Sequence, residues 1–423
     1  MTSLRLFFLL LLLLPVACTQ KDGDVSAPVP AGRAAVSVDL NRTLKNSDSS
    51  LDSLDMEFRT FMKRWNIRGI SFSVMRNDSL LYSKGYGFAD EPLGKEMTPG
   101  TILRVASVSK LITAIGIMVL VDRGELSLRD KVFGDGAPLE EFNACIRDDR
   151  YYRITVEDLL RHEGGFSTKG GDPMFSALKM REKYGFKEAP DADALVRKLV
   201  GERLEWAPGT RCEYSNLGYL LLSMVIERVT GCGYEDWMQE NVLKPAGCVD
   251  MHLAHNYYEQ RYPNETRYHM QSYDHMVKEY NGSGRDVQRC YGGNDIRLLS
   301  GAGAWVTSSA EMARLMAAAD ALPVVGDVIS EESVRDMVRW YDYDTYPLGW
   351  ISSDICGGRS RTGTLAATNA LVKYYPDGEC WIMITNTNIF WGSKFSRYTT
   401  RLLNKCKEEF SSRLPERNMF FED

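Results

Sequence analysis

The chain has 423 residues, of which 44% are hydrophobic and 26% are charged, so the collagen-like, fully disordered and coiled-coil classes are excluded. Its 51 basic and 57 acidic residues give a net charge of −6, which argues against nucleic-acid binding by bulk electrostatics. The length fits one large domain with an internal subdomain, or two domains of ordinary size.

The long apolar run of the sequence lies at its N-terminus, where Leu6–Leu14 follows a positively charged residue. This run is too short to span a bilayer comfortably, so residues 1–17 are predicted to be a cleaved signal peptide. The small residues before Cys18 resemble a bacterial lipobox, in which that cysteine is lipidated, although Pro15 stands where leucine is usual. Plain secretory cleavage is the alternative. Residues 18–48 are predicted to form a flexible tether. With the lipobox resemblance, the tether predicts a protein that is lipid-anchored in the bacterial cell envelope, on the periplasmic face or the cell surface.

The first predicted elements are a helix, a hairpin and a second helix. Apolar residues at helical spacing predict a helix over 51–65. Alternating residues at 70–74 predict a half-buried strand, and the turn-prone pair at 77–78 connects it to a second apolar segment at 80–88. A long apolar helix is predicted at 108–122.

A second hairpin is predicted near the C-terminus. Apolar segments at 370–375 and 381–385 flank a Pro-Asp-Gly turn, and an amphipathic helix at 397–410 follows them. Two hairpins at opposite ends, with a mostly helical middle, predict an α+β fold in which both hairpins form one antiparallel sheet flanked by helices. The predicted boundaries are an inserted helical subdomain at roughly 125–300, the whole domain at 49–415 and a C-terminal tail at 416–423.

The cysteines and histidines do not predict a metal site. Eight cysteines follow Cys18, and none forms a Cys-x-x-Cys pair or lies at zinc-finger spacing from a histidine. We therefore expect no metal and no cofactor, while the pairing of any disulfides is not readable from the spacing. Residues 254–295 lack a long apolar period and predict an elaborated loop over the site. The histidines in and near it are interpreted as surface residues: His252, His255, His269 and His275.

The first motif that carries chemistry is Ser107 with Lys110. The two side chains lie one turn apart at the start of the predicted helix, where a lysine of lowered pKa can accept the serine proton. The helix N-terminus favours negative charge on the serine oxygen. A second Ser-x-x-Lys, at Ser176 and Lys179, neither follows a hairpin nor opens an apolar helix, so it is interpreted as loop or surface helix.

The second motif is Tyr214 and Asn216, just before an apolar helix. A tyrosine whose phenolate is stabilised by lysine can exchange protons with a nucleophile and a leaving group. The amide of Asn216 can hold both Lys110 and a substrate carbonyl. A similar triplet at 262–264 contains proline in a polar segment and is interpreted as a loop.

The third motif is Arg361, Thr362 and Gly363, which precedes the C-terminal hairpin. A cation and a hydroxyl on an edge strand can grip a substrate carboxylate, and glycine permits close approach of the backbone. The alternative is that Arg361 faces solvent.

The three motifs together, in this order, resemble the serine β-lactamase and penicillin-binding-protein superfamily. The resemblance covers about residues 52–410 and extends to segments beyond the motifs, and the branch it is similar to contains class C β-lactamases, DD-peptidases, esterases and amidohydrolases. These segments are 84–90, 104–110, 154–162, 208–219, 301–303, 312–314 and 348–350.

The resemblance implies a role for each matching residue. Ser107 is expected to be the acyl-accepting nucleophile, Lys110 its proton partner, Tyr214 the general base and acid, and Asn216 a positioning amide. The backbone amides of Ser107 and Thr364 are expected to form the oxyanion hole. Arg361 departs from the pattern, because relatives usually carry lysine or histidine there, and an arginine cannot join a proton relay.

Two functions remain open from the sequence. The first is a serine hydrolase that acts through an acyl-enzyme on amide or ester bonds, with a DD-peptidase-like, β-lactamase-related or esterase activity in the cell envelope. A carboxylate-binding Arg361 would favour a small-molecule or peptide substrate with a terminal carboxylate, such as a peptide that ends in D-alanine. The second is a catalytically idle relative that binds or senses peptidoglycan-type ligands. His162, in a segment that resembles a structural turn of this superfamily, is interpreted as structural and not catalytic.

Overall fold

The computed structural model describes residues 51–271, 276–340, 344–388 and 392–421. The predicted signal peptide, the tether, the lipidation site at Cys18 and His275 lie outside these residues. Within them, no helix combines the length and the hydropathy needed to cross a bilayer. The predicted domain, by contrast, is described along most of its length.

The described residues form helices and strands in both halves of the chain. The α-helices are α1 (Asp52–Trp65), α2 (Ser109–Asp122), α3 (Val156–Leu160), α4 (Ala177–Tyr184), α5 (Ala192–Leu199), α6 (Asn216–Thr230), α7 (Tyr234–Met238), α8 (Lys244–Ala246), α9 (Ser300–Gly303), α10 (Ser309–Ala317), α11 (Glu331–Val338) and α12 (Ser396–Phe410). The strands are β1 (Gly69–Arg76), β2 (Ser79–Asp90), β3 (Lys95–Glu96), β4 (Leu103–Arg104), β5 (His252–Leu253), β6 (His269–Met270), β7 (Met276–Lys278), β8 (Asp286–Gln288), β9 (Trp305–Thr307), β10 (Ser352–Ser353), β11 (Arg359–Leu365), β12 (Thr368–Tyr374), β13 (Glu379–Thr385) and β14 (Thr387–Asn388). Helices α1, α2 and α12 confirm the three helices predicted at 51–65, 108–122 and 397–410.

The central sheet joins the two ends of the chain, in the strand order β10-β11-β12-β13-β1-β2-β3. The hairpins β1–β2 and β12–β13 meet where β1 pairs antiparallel with β13, and Ile70 lies opposite Thr385. Asn77 and Asp78 both have positive φ values, 45° and 62°, as the tight turn that matches the strand twist requires. The predicted α+β fold, with one sheet built from both hairpins, is confirmed.

Strand β1 is buried on both faces, so the prediction of a half-buried strand is wrong. Phe72 packs towards α1, where its ring centroid lies 4.4 Å from that of Phe58. On the other face, Ser71 and Ser73 have no exposed surface, and each lies 2.8 Å from the hydroxyl of Ser309 in α10. The alternation of apolar and polar residues marks a buried hydroxyl network instead of a solvent face.

The middle of the chain is helical only in its first part. Helices α3 to α8 lie within residues 156–246, whereas the described residues between α8 and α9 form short strands and 3₁₀ turns. The predicted helical subdomain at 125–300 is therefore too long, because its second part lacks the apolar period that a packed helix needs. In that part, Tyr268 and Tyr291 pack against Ala367, at the turn that connects β11 to β12.

The described part of the predicted C-terminal tail packs on the sheet. Met419 and Phe420 are buried, and the backbone N–H of Met419 donates to the carbonyl oxygen of Leu80 at 2.9 Å. Arg417 donates to the next carbonyl along β2, that of Leu81, at 3.1 Å. The packed domain therefore continues past the predicted boundary at residue 415.

Candidate active site

Ser107 lies in a tight turn between β4 and α2. The turn is a 3₁₀ helix over Ala106–Val108, and Ala106 adopts a left-handed conformation with a φ of 48°. Ala106 and Val108 are buried, whereas Ser107 keeps partial exposure. The hydroxyl is thus accessible at the amino end of α2, where the helix dipole favours developing negative charge.

The second motif meets the first through a direct hydrogen bond. The phenolic Oη of Tyr214 donates to Ser107 Oγ at 2.7 Å. Local capping explains this placement: Ser215 accepts the N–H of Gly218 at 3.3 Å and so begins α6, which holds Tyr214 just ahead of the helix. The predicted nucleophile and the predicted general base are therefore brought together.

Lys110 lies one turn after Ser107 and has no exposed surface. Its ammonium group donates to Asn216 Oδ1 and to the carbonyl oxygen of Ala302, both at 2.6 Å. It also lies 4.9 Å from the centroid of the Tyr214 ring. Burial lowers the pKa of Lys110 to about 8, although the neighbouring Tyr214 opposes this shift. Lys110 is thus a cation that can lose its proton at mildly alkaline pH.

Arg361 points from β11 into the site and has no exposed surface. Its Nε donates to the carbonyl oxygen of Ser107 at 2.8 Å, its Nη2 to Tyr214 Oη at 3.2 Å, and its Nη1 to the carbonyl oxygen of Trp350 at 3.3 Å. The predicted grip on a substrate carboxylate therefore does not describe this residue, because each guanidinium nitrogen donates to the protein and none is exposed. The solvent-facing alternative is excluded for the same reason.

The phenol of Tyr214 lies beside two buried cations. Burial raises the pKa of Tyr214, but the charges of Lys110 and Arg361 and a hydrogen bond with Ser107 outweigh this effect, so the pKa lies below its usual value of 10.0. A phenol of lowered pKa ionises more readily, and its phenolate, within hydrogen-bond distance of a serine hydroxyl, can accept the serine proton. This is the chemistry that the arrangement supports.

Strand β11 passes directly beside the nucleophile turn. A Cβ atom on Gly363 would lie 2.2 Å from the carbonyl oxygen of Val105 and 3.0 Å from the backbone nitrogen of Ser107, so only glycine permits this approach. Thr362 and Thr364, on either side of it, are partly exposed. The oxyanion hole expected from the amides of Ser107 and Thr364 stays a prediction, as does contact of Thr362 with substrate.

His162 has the structural role expected of it. Its backbone is left-handed, with a φ of 62°, and its Nδ1 accepts the N–H of Ser215 at 3.1 Å. Its ring centroid lies 4.5 Å from that of Tyr214. Burial, together with the charges of Arg361 and Lys110, holds the pKa of His162 well below its usual value. A neutral imidazole ring therefore packs against the phenol.

The look-alike motifs lie elsewhere and serve local structure. Lys179 is exposed on α4 and donates to the carbonyl oxygen of Gly170 at 2.5 Å. Tyr262 donates to the carbonyl oxygen of Leu253 at 3.1 Å. Both interpretations from sequence context agree with these placements.

Asp172 is a site residue that the sequence did not reveal. Its Oδ2 accepts a hydrogen bond from Asn216 Nδ2 at 2.6 Å, so a carboxylate adjoins the amide that holds Lys110. Asp172 lies in a glycine-rich loop between α3 and α4. The aspartate-proline pair at 172–173 marks a turn, but no spacing rule connects that turn to the three motifs.

Comparison with known proteins identifies the family and the fold. A family model described as Beta-lactamase matches residues 54–388. Esterase EstB of Burkholderia gladioli is 30% identical over 219 residues, which are 51% of this chain and 55% of EstB. The chain thus spans about half the length of that relative.

Solved structures with low sequence identity share the fold. D-alanine carboxypeptidase AmpC from Burkholderia cenocepacia has a TM-score of 0.64 and 18% identity, covering 85% of this chain and 100% of that one. D-amino acid amidase from Ochrobactrum anthropi SV3, in complex with L-phenylalanine amide, has a TM-score of 0.65 and 17% identity, covering 86% of this chain and 99% of that one. At these identities the likeness concerns the fold alone.

Proposed function

We propose that this chain, which belongs to the Beta-lactamase family, is a serine hydrolase that cleaves ester or amide bonds through an acyl-enzyme on Ser107. The observation that carries the proposal is the 2.7 Å hydrogen bond between Tyr214 Oη and Ser107 Oγ, beside the buried cations Lys110 and Arg361. A serine hydroxyl becomes a nucleophile when a base of suitable pKa lies within this distance.

In the proposed mechanism, Tyr214 acts as a phenolate and takes the proton of Ser107 while Oγ attacks the substrate carbonyl carbon. The negative charge then moves to the carbonyl oxygen, next to the amino end of α2. As the carbonyl re-forms, the bond to the leaving group breaks, and Tyr214 returns its proton to that group. A water molecule, deprotonated by Tyr214 in turn, then attacks the acyl carbon. The bond from that carbon to Ser107 Oγ breaks, Tyr214 returns the proton to Oγ, and the acid is released.

The placement of Arg361 favours neutral substrates. Its donors contact Ser107, Tyr214 and Trp350, so the guanidinium stabilises the phenolate and is not accessible to a substrate carboxylate. We therefore propose acyl esters and amides, without a required terminal carboxylate, as the substrate class. The similarity to esterase EstB supports the same class.

The idle binding protein is the less supported alternative. Its basis in the sequence was the arginine in the third motif, and that arginine supplies a positive charge to Tyr214 at 3.2 Å. Tyr214 is hydrogen-bonded to Ser107 and to Arg361, and the ammonium group of Lys110 lies 4.9 Å from the centroid of the Tyr214 ring. Nothing in this arrangement favours binding without turnover.

A substrate screen on residues 49–423 tests the proposal. Short p-nitrophenyl acyl esters, N-acyl amides, D-alanyl peptides and β-lactams are compared, with Ser107→Ala as the inactive variant and Ser176→Ala, in the look-alike motif, as the matched control. The proposal expects turnover of esters or amides by the wild type and by Ser176→Ala, and none by Ser107→Ala. Equal rates for the wild type and Ser107→Ala would overturn it.

We also propose that the protein is anchored in the bacterial envelope by a lipid on Cys18. The support is the signal-like N-terminus and the cysteine after Ala17. In bacteria fed labelled palmitate, the wild type and Cys356→Ala, which lacks an exposed thiol of the domain, should incorporate label, and Cys18→Ala should not. Label retained in Cys18→Ala would refute the anchor.

A further inference from the structure

The amide of Asn216 lies between two groups of opposite charge. Its Oδ1 accepts from the ammonium group of Lys110, and its Nδ2 donates to the carboxylate of Asp172, both at 2.6 Å. An ammonium group has only donors and an ionised carboxylate has only acceptors. One of the two possible amide orientations therefore satisfies both neighbours, and the reversed one satisfies neither.

The carboxylate of Asp172 is itself held in place. Its Oδ1 accepts the N–H of Met174 at 2.9 Å, which caps a 3₁₀ turn over Pro173–Phe175. The side chain of Met174 is 1% exposed and belongs to the main hydrophobic core. The buried Met174 thus anchors the 3₁₀ turn, and this turn holds the carboxylate of Asp172 against Asn216.

Among the described residues, the carboxylate of Asp172 forms no salt bridge. In the part of the chain that the structure describes, no lysine, arginine or histidine forms an ion pair with it, and the side chain is only partly exposed. The nearby Lys169 instead pairs with Glu205. The negative charge of Asp172 therefore acts on Lys110, whose pKa it raises against the effect of burial.

We infer that Asp172 is a positioning residue of the proposed hydrolase, which fixes the orientation of the Asn216 amide and keeps the Lys110 ammonium group charged beside Tyr214. The inference rests on the proposed function. It adds a fourth segment, the loop between α3 and α4, to the three motifs that form the site. Asp172 acts through Asn216 and Lys110 and is not assigned a contact with substrate.

The direction of the pH effect follows from the charges around Lys110. Removing the negative charge of Asp172 disfavours the protonated forms of Lys110 and Tyr214. The acid limb and the alkaline limb of the pH profile of kcat/KM should therefore both move to lower pH. For charges separated by several ångströms, an effective dielectric between about 20 and 80 gives an expected shift of about 0.5 to 2 pH units. The titratable and charged groups that face Lys110 are Tyr214, Tyr219, Arg361, His162 and Asp172.

The test compares Asp172→Asn, Asp172→Glu and Asp172→Ala with the wild type. The pH profile of kcat/KM on a neutral p-nitrophenyl ester and the pH dependence of fluorophosphonate labelling are measured for each. Asp191→Asn is the matched control, because Asp191 caps α5 in the same manner but is exposed and outside the site. Thermal unfolding establishes that each variant is folded.

Asp172→Asn removes the charge and leaves one acceptor oxygen for the Asn216 amide, at the expense of the contact with the N–H of Met174. It should therefore move both limbs to lower pH, with a loss of rate below about tenfold. Asp172→Glu keeps the charge and should keep the limbs in place. Asp172→Ala removes the acceptor and should lose about 10- to 100-fold in kcat, less than the roughly 10²- to 10⁴-fold expected when the acid–base group itself is removed. Asp191→Asn should match the wild type.

Two results would overturn the inference, and they are distinguishable. If the wild type turns over ester and is labelled, but the Asp172→Asn profile superimposes on it, the positioning role alone fails. If the wild type is neither active nor labelled while folded, the proposed hydrolase fails and the inference fails with it.

Discussion

The phenolic oxygen of Tyr214 lies 2.7 Å from the hydroxyl oxygen of Ser107, although 107 positions separate the two residues in the chain. The contact depends on two helix starts, because Ser107 precedes α2 and Tyr214 precedes α6. Both helices pack in the main hydrophobic core. The site is thus held together by packing at the amino ends of two buried helices.

Replacing Tyr214 by phenylalanine should lower kcat by about 10²- to 10⁴-fold, because it removes the group that exchanges protons with Ser107. Tyr375→Phe is the matched control, since its hydroxyl contacts Asn404 on the surface. Steady-state ester hydrolysis measures both variants. A Tyr214→Phe enzyme with the wild-type rate would remove the phenol from the mechanism.

Replacing Arg361 by glutamine should raise the pKa of Tyr214, because Arg361 is one of the two cations that lower it. The active phenolate is then reached only at higher pH, so the acid limb of kcat/KM should move up. Arg361→Lys should move it less, and Arg335→Gln, in an exposed ion pair on α11, should not move it.

The same Arg361 variants distinguish two roles of this residue: stabilising the Tyr214 phenolate and binding a substrate carboxylate. Neutral esters and carboxylate-bearing substrates are measured in parallel. The buried guanidinium predicts equal fractional losses on both, whereas a selective loss on the carboxylate-bearing substrates would restore the clamp predicted from the sequence.

Lys110→Met should abolish activity and change how stability depends on pH. The pKa of Lys110 is lowered to about 8 from 10.5, so between these values the unfolded chain binds more protons than the folded one. Stability from this group therefore rises with pH over that interval and is lost as pH falls through about 8. The unfolding free energy of both proteins is measured by chemical denaturation at pH 7.5 and at pH 10. From the lower to the higher pH, the wild type should gain more unfolding free energy, or lose less, than Lys110→Met. Equal changes in the two proteins would contradict the lowered pKa of Lys110.

Gly363→Ala should impair folding stability and activity together. The added Cβ would meet the carbonyl oxygen of Val105 at 2.2 Å, so β11 must move away from the nucleophile turn at a cost of about 1–3 kcal/mol. Gly170→Ala is the control, because its Cβ would meet nothing within 4 Å. Thermal unfolding and ester hydrolysis measure both, and a Gly363→Ala variant that resembles the control would show that the close approach is not required.

The hairpins and three main helices were predictable because their signals are local. Asn77 and Asp78 tolerate the positive φ values of the turn, and apolar periodicity is continuous over α1, α2 and α12. The burial of Ser71 and Ser73 was not predictable, because their partner, Ser309, is distant in sequence. A polar residue on a strand indicates solvent unless a partner for it is known.

The site residues also divide into those that local sequence signals identify and those that depend on distant partners. Ser107, Lys110, Tyr214 and Asn216 could be identified from motif order, because each sits at a recognisable helix start. The direction of Arg361 and the contact of Asp172 depend on which backbone segments meet in three dimensions, and no spacing within the chain encodes that. The identity of the site residues was therefore easier to predict than the groups that their side chains contact.

The most direct test of the acyl-enzyme is to label the purified protein with a fluorophosphonate and to locate the adduct by peptide mass spectrometry. The proposed function predicts one adduct, on Ser107, which is absent from Ser107→Ala and much slower to form in Tyr214→Phe. A folded wild-type protein that stays unlabelled, or that carries the adduct on a different serine, would contradict it.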